Sequence, residues 1–251
     1  MSSAVEEHVL QRIRSAPMRM YPYEHVYVEN VFPAGFYSQL RLNWPDSSTL
    51  TSLSETGRVP KGKYKERFVL PLDAAGIGKL GIERRAFWSQ FAAWFLSDHF
   101  LTAMIERFEQ PVKNRLGDVF FNHYTFGVDS LVVRDRTNFS IGPHTDAPHR
   151  LLSMLFYCPD DSSMRHLGTS IYVPREQGYT CNGGPHYPHR LFQQVQTMEY
   201  VPNSLFAFAK SDHSFHGVEP ISDEDVQRDI LLYDIRVVAL ENAAQEPATR
   251  A

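Results

Sequence analysis

The sequence has little cysteine, no excess of basic charge and no long apolar run. Its 251 residues include only two cysteines, Cys158 and Cys181, which are too few for a disulfide framework. We therefore expect reduced thiols and a cytoplasmic location. The formal net charge of −4 does not favour binding to nucleic acid. The first residues lack the apolar segment of a signal peptide, and the most apolar stretch, 86–96, is too short to cross a membrane.

What the chain does contain is typical of one folded domain with two kinds of pattern. Hydrophobic residues make up 43% of the sequence and aromatic residues 13%, which excludes a disordered chain. Before Gly117, apolar residues recur mostly at helical spacing, and a long helical region is predicted over 83–116 with a break near 97–98. Residues 47–65 are polar and glycine-containing, which predicts an exposed loop.

After Gly117 the pattern is typical of β-structure. Short runs of apolar, aromatic and β-branched residues alternate with Gly, Pro, Asp and Asn. The first predicted strand is Val119–Tyr124 and the last is 228–238, and seven or eight strands with no helix between them indicate an antiparallel sandwich or barrel. We therefore expect an α+β fold in a single domain, 1–251. Its parts would be a helical cover (1–116), a β core (117–240) and a flexible tail (241–251).

The triplet His144-Thr145-Asp146 is the strongest candidate for chemistry. A chain with eleven histidines can contain such a triplet by chance, so its context matters. It follows a strand and a Gly142-Pro143 break, and it precedes another apolar strand. On extended backbone, residues i and i+2 point to the same face. An imidazole and a carboxylate on one face can bind a divalent metal, and a second histidine would complete the triad of non-haem Fe(II) oxygenases.

Two later histidines, His213 and His216, are candidates for the third ligand. They are three residues apart and would not share a face on a strand. Arg228 follows twelve residues after His216 and opens a strongly apolar strand. A cation inside a barrel needs a carboxylate partner, and a guanidinium can hold the carboxylate of a bound substrate with two hydrogen bonds.

With these residues, the chain resembles the Fe(II)/2-oxoglutarate-dependent dioxygenases. The resemblance covers residues 131–238 and includes the frames Gly142-Pro-His-Thr-Asp, Gly168-Thr-Ser-Ile-Tyr-Val and Asn203-Ser-Leu-Phe-Ala-Phe. It implies a double-stranded β-helix, a jelly-roll or cupin-like barrel, with an N-terminal helical cover. It also implies that His144, Asp146 and His216 form the catalytic iron site and that Arg228 binds the far carboxylate of 2-oxoglutarate.

The resemblance further implies the reaction and its cofactors. Fe(II), 2-oxoglutarate and O₂ would hydroxylate a C–H bond of a small polar substrate, with release of succinate and CO₂. Many family members carry Ser or Thr two residues after the arginine, whereas this chain has Ile230, so a second co-substrate contact must come from elsewhere. Arg134, Arg136 and Asn138 are candidates for that contact.

Other interpretations remain open from the residues alone. The protein could be a cupin-like metalloenzyme that does not use 2-oxoglutarate, with Arg228 in a structural ion pair with Asp234 or Glu219. It could also be a non-catalytic jelly-roll binding domain. Residues 177–188 form a Gly- and Pro-rich loop, in which we expect His186, like the adjacent His189, to be solvated. An aromatic and cationic rim of Tyr172, Arg175, Tyr179 and Tyr187 could contact the substrate, or these residues could pack on one another.

Overall fold

A computed structural model describes residues 2–239 of the chain. Seven α-helices lie in its first half, among them a run of three from residue 82 to 116. The helices are α1 (Ser2–Ser15), α2 (Ala34–Leu42), α3 (Ala74–Gly78), α4 (Ile82–Phe95), α5 (Asp98–Arg107), α6 (Glu109–Leu116) and α7 (Phe120–His123). No helix in this part of the chain is long and apolar enough to cross a membrane.

Eleven β-strands form two antiparallel sheets. The strands are β1 (His25–Glu29), β2 (Thr51–Ser52), β3 (Arg67–Pro71), β4 (Tyr124–Arg136), β5 (Ile141–His144), β6 (Arg150–Tyr157), β7 (Thr169–Pro174), β8 (Phe192–Met198), β9 (Ser204–Ala209), β10 (His216–Val218) and β11 (Gln227–Ala239). The larger sheet has the order β1-β9-β6-β11-β4-β3-β2, and the smaller has the order β5-β10-β7-β8.

The strand order is that of a double-stranded β-helix. The eight strands β4 to β11 are divided between the two sheets, with β4-β11-β6-β9 in one and β5-β10-β7-β8 in the other. Two interleaved four-stranded sheets of this kind form a jelly roll. The fold class predicted from the sequence is therefore confirmed. The N-terminal region contributes β1, β2 and β3 to the larger sheet in addition to its helices.

Successive side chains of β11 point alternately to two apolar clusters, one on each face of the larger sheet. Leu231, Tyr233 and Ile235 belong to the cluster that packs against the helices. Ile230 lies in the second cluster, between the sheets, and Leu232 packs against that cluster. Both faces of this strand are covered, which explains why it reads as an almost continuous apolar run in the sequence.

The helices cover the larger sheet through aromatic contacts. Phe95 of α4 is fully buried, and its ring lies 4.8 Å from the ring of Tyr233 on β11 and 5.3 Å from that of Phe156 on β6. The ring of Phe95 also lies 4.5 Å from that of Phe91, one turn earlier in α4. The Phe95 side chain therefore connects the helical layer with two strands of the barrel.

Three local predictions from the sequence are corrected by the structure. The segment predicted as a strand at Val119–Tyr124 contains the short helix α7, and β4 begins only at Tyr124. The predicted helical region contains three helices, because Phe108 separates α5 from α6. Strand β3, which pairs with β4, follows directly after the polar loop and was not predicted. The predicted tail at 241–251 lies outside the described residues.

We expect the helices and the barrel to unfold together. Replacing Phe95 with alanine removes contacts to both layers and should lower the free energy of unfolding by about 3–5 kcal/mol. In urea denaturation, the near-ultraviolet and far-ultraviolet circular dichroism signals should move together to lower urea. Leu42, the last residue of α2, is 71% exposed, so Leu42→Ala is the matched control. Its free energy of unfolding should differ little from that of the unmodified protein. Separate transitions for the two signals would contradict the single-domain prediction.

Candidate active site

The three predicted metal ligands meet at one end of the barrel. His144 ends β5, His216 begins β10, and the two residues are direct partners in the antiparallel ladder. Asp146 follows two residues after His144. One possible ligand atom from each of His144, Asp146 and His216 lies within 4.8 Å of the others. The extended backbone between 144 and 146 thus brings an imidazole and a carboxylate to a common point.

Backbone hydrogen bonds orient both imidazole rings. Nδ1 of His144 is 3.0 Å from the carbonyl oxygen of Gly142, and Nδ1 of His216 is 3.0 Å from the carbonyl oxygen of Ser214. A carbonyl only accepts, so each Nδ1 carries the proton and donates. In the neutral form of each ring, Nε2 is then the unprotonated nitrogen, and this tautomer can bind a metal through Nε2.

The carboxylate of Asp146 is held by a hydroxyl. Oγ of Ser153 donates to one carboxylate oxygen at 2.7 Å, and the other oxygen is 3.9 Å from Nε2 of His216. Burial alone would raise the pKa of Asp146, but the attraction of His216 and Arg150 outweighs it and holds this pKa below its ordinary value. The carboxylate is therefore ionised and can serve as an anionic ligand.

Burial also affects the first histidine. Desolvation and the nearby His216 lower the pKa of His144 well below its ordinary value, although Asp146 acts in the opposite direction. The ring is therefore neutral at physiological pH. Two imidazoles and one carboxylate are the donor set of the 2-His-1-carboxylate iron centres, so the side chains present fit Fe(II).

The ligands line a cavity of about 510 Å³. The apolar side chains Ile141, Leu155, Val218 and Leu232 form part of its wall. A cavity of this size can accept a small co-substrate together with part of a second molecule. His213, the other candidate from the sequence, is exposed and does not line it.

His186 lines the cavity, which was not expected from the sequence, while its side chain stays exposed as expected for this loop. Its ring lies 4.2 Å from that of His144, and its Nδ1 is 2.5 Å from the hydroxyl of Tyr64. This hydrogen bond joins the loop after β7 to the loop before β3 over the cavity. Desolvation, followed by the charges of His216 and Lys63, lowers the pKa of His186. Its position depends on tertiary packing, and no local sequence signal marked it.

Two glycines let the loop after β7 approach the ligand backbone closely. A Cβ atom at Gly183, whose φ is +103°, would lie 2.4 Å from the carbonyl oxygen of Asp146. At Gly142 the same atom would lie 2.4 Å from the carbonyl oxygen of Tyr187. The hydroxyl of Thr145 adds a hydrogen bond of 2.6 Å to the carbonyl oxygen of Cys181. The loop is therefore fixed to the strand that carries the ligands.

The predicted aromatic rim does not face the cavity. Tyr172, Tyr179 and Tyr187 pack with Phe192 and Phe215 in a separate small cluster. Neither these tyrosines nor Arg175 line the cavity. Of the two possibilities left open from the sequence, the structure supports packing within the loop.

Arg228 is fully buried inside the barrel. Its Nη1 is 2.7 Å from a carboxylate oxygen of Asp135, its Nε is 2.5 Å from the carbonyl oxygen of Leu167, and its Nη2 is 3.4 Å from the hydroxyl of Thr169. Arg228 does not itself line the cavity, whereas Thr169 does. Its ion-pair partner is Asp135, and not Asp234 or Glu219 as considered from the sequence.

Asp135 is shared by a second arginine. Arg67 of β3 binds the same carboxylate with Nε at 2.6 Å and Nη2 at 2.9 Å, and Arg67 lines the cavity. Two guanidinium groups on one buried carboxylate leave one positive charge at this end of the cavity. Arg67 comes from the unpredicted strand β3, so sequence reasoning did not find it.

The other candidates for a second co-substrate contact are placed elsewhere. Arg134 binds Asp229 through Nε at 2.6 Å and Nη2 at 2.9 Å, on the opposite face of β4 from Asp135. Arg136 donates to the hydroxyl of Ser47. These arginines and Asn138 do not line the cavity that contains the ligands.

Comparison with protein-family models and with curated proteins gives no match. Among solved structures, the chain is similar to a prolyl hydroxylase from Trichoplax adhaerens in complex with a hypoxia inducible factor peptide fragment. The two share 13% identity over 94% of this chain and 90% of that one, with a TM-score of 0.49. A Pseudomonas putida prolyl-4-hydroxylase gives 13% identity, 92% and 98% coverage and a TM-score of 0.49.

A third similar structure is HygX from Streptomyces hygroscopicus with nickel and 2-oxoglutarate bound. It shares 11% identity with the chain, covering 84% of this chain and 82% of that one, with a TM-score of 0.45.

Proposed function

We propose that the protein is an Fe(II)- and 2-oxoglutarate-dependent oxygenase that hydroxylates a C–H bond of a small molecule and releases succinate and CO₂. The observation that carries the proposal is the triad itself. Two imidazoles with their Nδ1 atoms hydrogen-bonded and one ionised carboxylate converge at the wall of a cavity of about 510 Å³. Such an open triad leaves coordination positions for a co-substrate and O₂.

His144, Asp146 and His216 would hold the iron, which together with 2-oxoglutarate and O₂ supplies the oxidising chemistry. The protein supports this with oriented rings and a positioned carboxylate. Ser153 fixes one oxygen of Asp146, leaving the other oxygen toward His216. The apolar wall residues limit the water that reaches the reacting groups.

The far carboxylate of 2-oxoglutarate would bind at the end of the cavity where Arg67 and Arg228 share Asp135. Arg67 faces the cavity, and Arg228 lies directly behind Thr169. Arg228 remains the residue predicted to bind the far carboxylate of 2-oxoglutarate. Arg67 would provide the second contact to that carboxylate, which the apolar side chain of Ile230 cannot make. The one uncompensated positive charge of this cluster suits a carboxylate ligand.

The second candidate function is a cupin-like metalloenzyme that does not use 2-oxoglutarate. The specific observation in its favour is the complete burial of Arg228 and its ion pair with Asp135, which gives the guanidinium a structural role.

The cytoplasmic location also stays a prediction, based on the two unpaired cysteines.

The experiment that tests the proposal measures succinate. Protein loaded anaerobically with Fe(II) and 2-oxoglutarate is exposed to O₂ with a collection of small polar metabolites. We expect at least one class of metabolite to accelerate succinate release above the slow background. The variant Asp146→Ala should give no enzyme-dependent succinate with any of them. Iron-loaded protein that neither binds 2-oxoglutarate nor releases succinate would favour the cupin-like alternative.

A further inference from the structure

The cavity wall carries a strong imbalance of charge. Asp146, which serves as a metal ligand, is its single carboxylate within the described part of the chain. Four cationic side chains line the same cavity: Arg58, Lys63, Arg67 and Arg150. A wall with one sign of charge raises the local concentration of ligands of the opposite sign.

Buried aspartates behind the wall anchor its arginines but do not neutralise the region. Asp129 and Asp135 each bind two arginines, and Arg150 pairs with Asp234 while also approaching Asp146 at 3.9 Å. The shared pairs are Arg58 and Arg236 on Asp129, and Arg67 and Arg228 on Asp135.

With Lys63, six cationic groups stand against four carboxylates, which leaves two positive charges. Lys63 has no carboxylate partner anywhere in residues 2–239. Fe(II) adds two positive charges and the 2-oxoglutarate dianion removes two. The loaded site would thus keep a surplus of about two positive charges, because the one wall carboxylate, Asp146, is already counted.

Lys63 lines the cavity next to a residue that contacts the metal site. Its neighbour Tyr64 donates or accepts the 2.5 Å hydrogen bond with His186, whose ring lies 4.2 Å from the metal ligand His144. Arg58, at the other end of the same loop, is held by two hydrogen bonds from its guanidinium to Asp129, at 2.8 and 3.2 Å. The two cations therefore lie on one loop that covers the cavity.

We propose that the prime substrate is an anionic small molecule whose phosphate or carboxylate group binds to Lys63 and Arg58. This inference rests on the proposed function, because it assigns the substrate class of the same site. Arg58 provides a guanidinium held by Asp129 and Lys63 an ammonium without a carboxylate partner in residues 2–239, and together they can pair with an anion that carries about two negative charges.

Inorganic phosphate serves as the probe, and its ³¹P relaxation is measured on the Mn(II) protein with and without saturating 2-oxoglutarate. Bound phosphate near the paramagnetic ion relaxes faster. We expect saturable binding that weakens roughly tenfold in Lys63→Gln. Lys61→Gln is the matched control, since Lys61 is exposed on the same loop but does not line the cavity. Its phosphate affinity should equal that of the unmodified protein.

A neutral probe and a second variant complete the test. Trimethyl phosphate carries the same nucleus without charge and should show no saturable relaxation. Arg58→Gln should weaken phosphate binding as Lys63→Gln does. If Arg58→Gln fails to fold after losing its pair with Asp129, the exposed Lys63→Gln still decides the question. Equal phosphate affinity in Lys63→Gln and the unmodified protein, or no binding at all, would overturn the proposed anion site.

The outcome for the proposed function is read separately from the anaerobic Fe(II) protein. If the absorption band of an Fe(II)–2-oxoglutarate complex forms but phosphate does not bind, only the proposal of the anion site is refuted. If the band does not form, the proposed function is refuted. The phosphate titration of the Mn(II) protein without 2-oxoglutarate then still tests the anion site, because the positive surplus is larger in that state.

Discussion

Replacing Asp146, His144 or His216 with alanine is expected to abolish metal binding while the protein stays folded. Loss of a residue that merely orients a ligand costs about 10–100-fold in affinity, so loss of a ligand itself should exceed about 100-fold. Asp146 provides the negative charge of the triad, and its ionised state is already stabilised without a metal by His216, Arg150 and Ser153. The effect of Asp146→Ala should therefore be at least as large as that of either histidine.

Anaerobic titration of Fe(II), or of Mn(II) in air, measures the affinities, and circular dichroism verifies the fold. His213→Ala is the matched control, because His213 is an exposed histidine three residues before His216. It should bind metal as the unmodified protein does. Ser153→Ala should fall between, at about 10–100-fold, since Ser153 only orients Asp146. A His213→Ala protein without metal, beside a His216→Ala protein that retains it, would disprove the assigned ligand set.

Truncation of Arg228 is expected to weaken 2-oxoglutarate binding roughly 30-fold to several thousand-fold. The estimate corresponds to about 2–5 kcal/mol for losing one partner of a buried charge-assisted pair, at about 1.4 kcal/mol per tenfold. Iron binding should survive in Arg228→Ala, because the arginine is not a ligand. Arg228→Lys should recover only part of the affinity, since an ammonium cannot reproduce the planar guanidinium.

The structure adds a second expected effect and a control for it. Arg228→Ala also removes a partner of buried Asp135, so the melting temperature should fall even without co-substrate. Arg134→Ala breaks a similar buried pair, with Asp229, away from the ligand cavity. It should lower stability and leave 2-oxoglutarate affinity unchanged. The absorbance of the anaerobic Fe(II)–2-oxoglutarate complex gives the dissociation constants. An unchanged constant in Arg228→Ala would favour the structural role and the cupin-like alternative.

The β core could be predicted because its signals are local. Short apolar runs separated by turn residues indicated an antiparallel β core after Gly117, and the spacing of His144 and Asp146 on extended backbone placed two candidate ligands on one face. The choice of His216 over His213 came from the resemblance, and the ladder pairs His216 directly with His144. The strand pattern and the spacing of His144 and Asp146 each lie within a few residues of the feature that they predict.

The features that were missed depend on contacts between distant segments. The run at 119–124 has strand-like composition, yet it forms a helical turn before β4. Over so short a segment, tertiary packing outweighs the β-propensity of the residues. His186 reaches the site across 42 positions from His144 through a loop whose sequence indicates only flexibility. The partner of Arg228 could not be predicted, because Asp135 lies 93 residues away and is shared with Arg67.

The two glycine contacts limit how the proposed active site can be re-engineered. A loop grafted in place of 175–191 must keep a residue without a side chain at 183, where φ is +103° and a Cβ would lie 2.4 Å from the carbonyl oxygen of Asp146. Any larger residue there would displace the backbone of Asp146, a proposed metal ligand. Position 142 of the barrel must likewise stay glycine, because a Cβ there would lie 2.4 Å from the carbonyl oxygen of Tyr187 in the loop. Loop and barrel must therefore be redesigned as one module, whereas the outer loop that carries Arg58 and Lys63 has no such tie to the ligand backbone and is the easier place to change specificity.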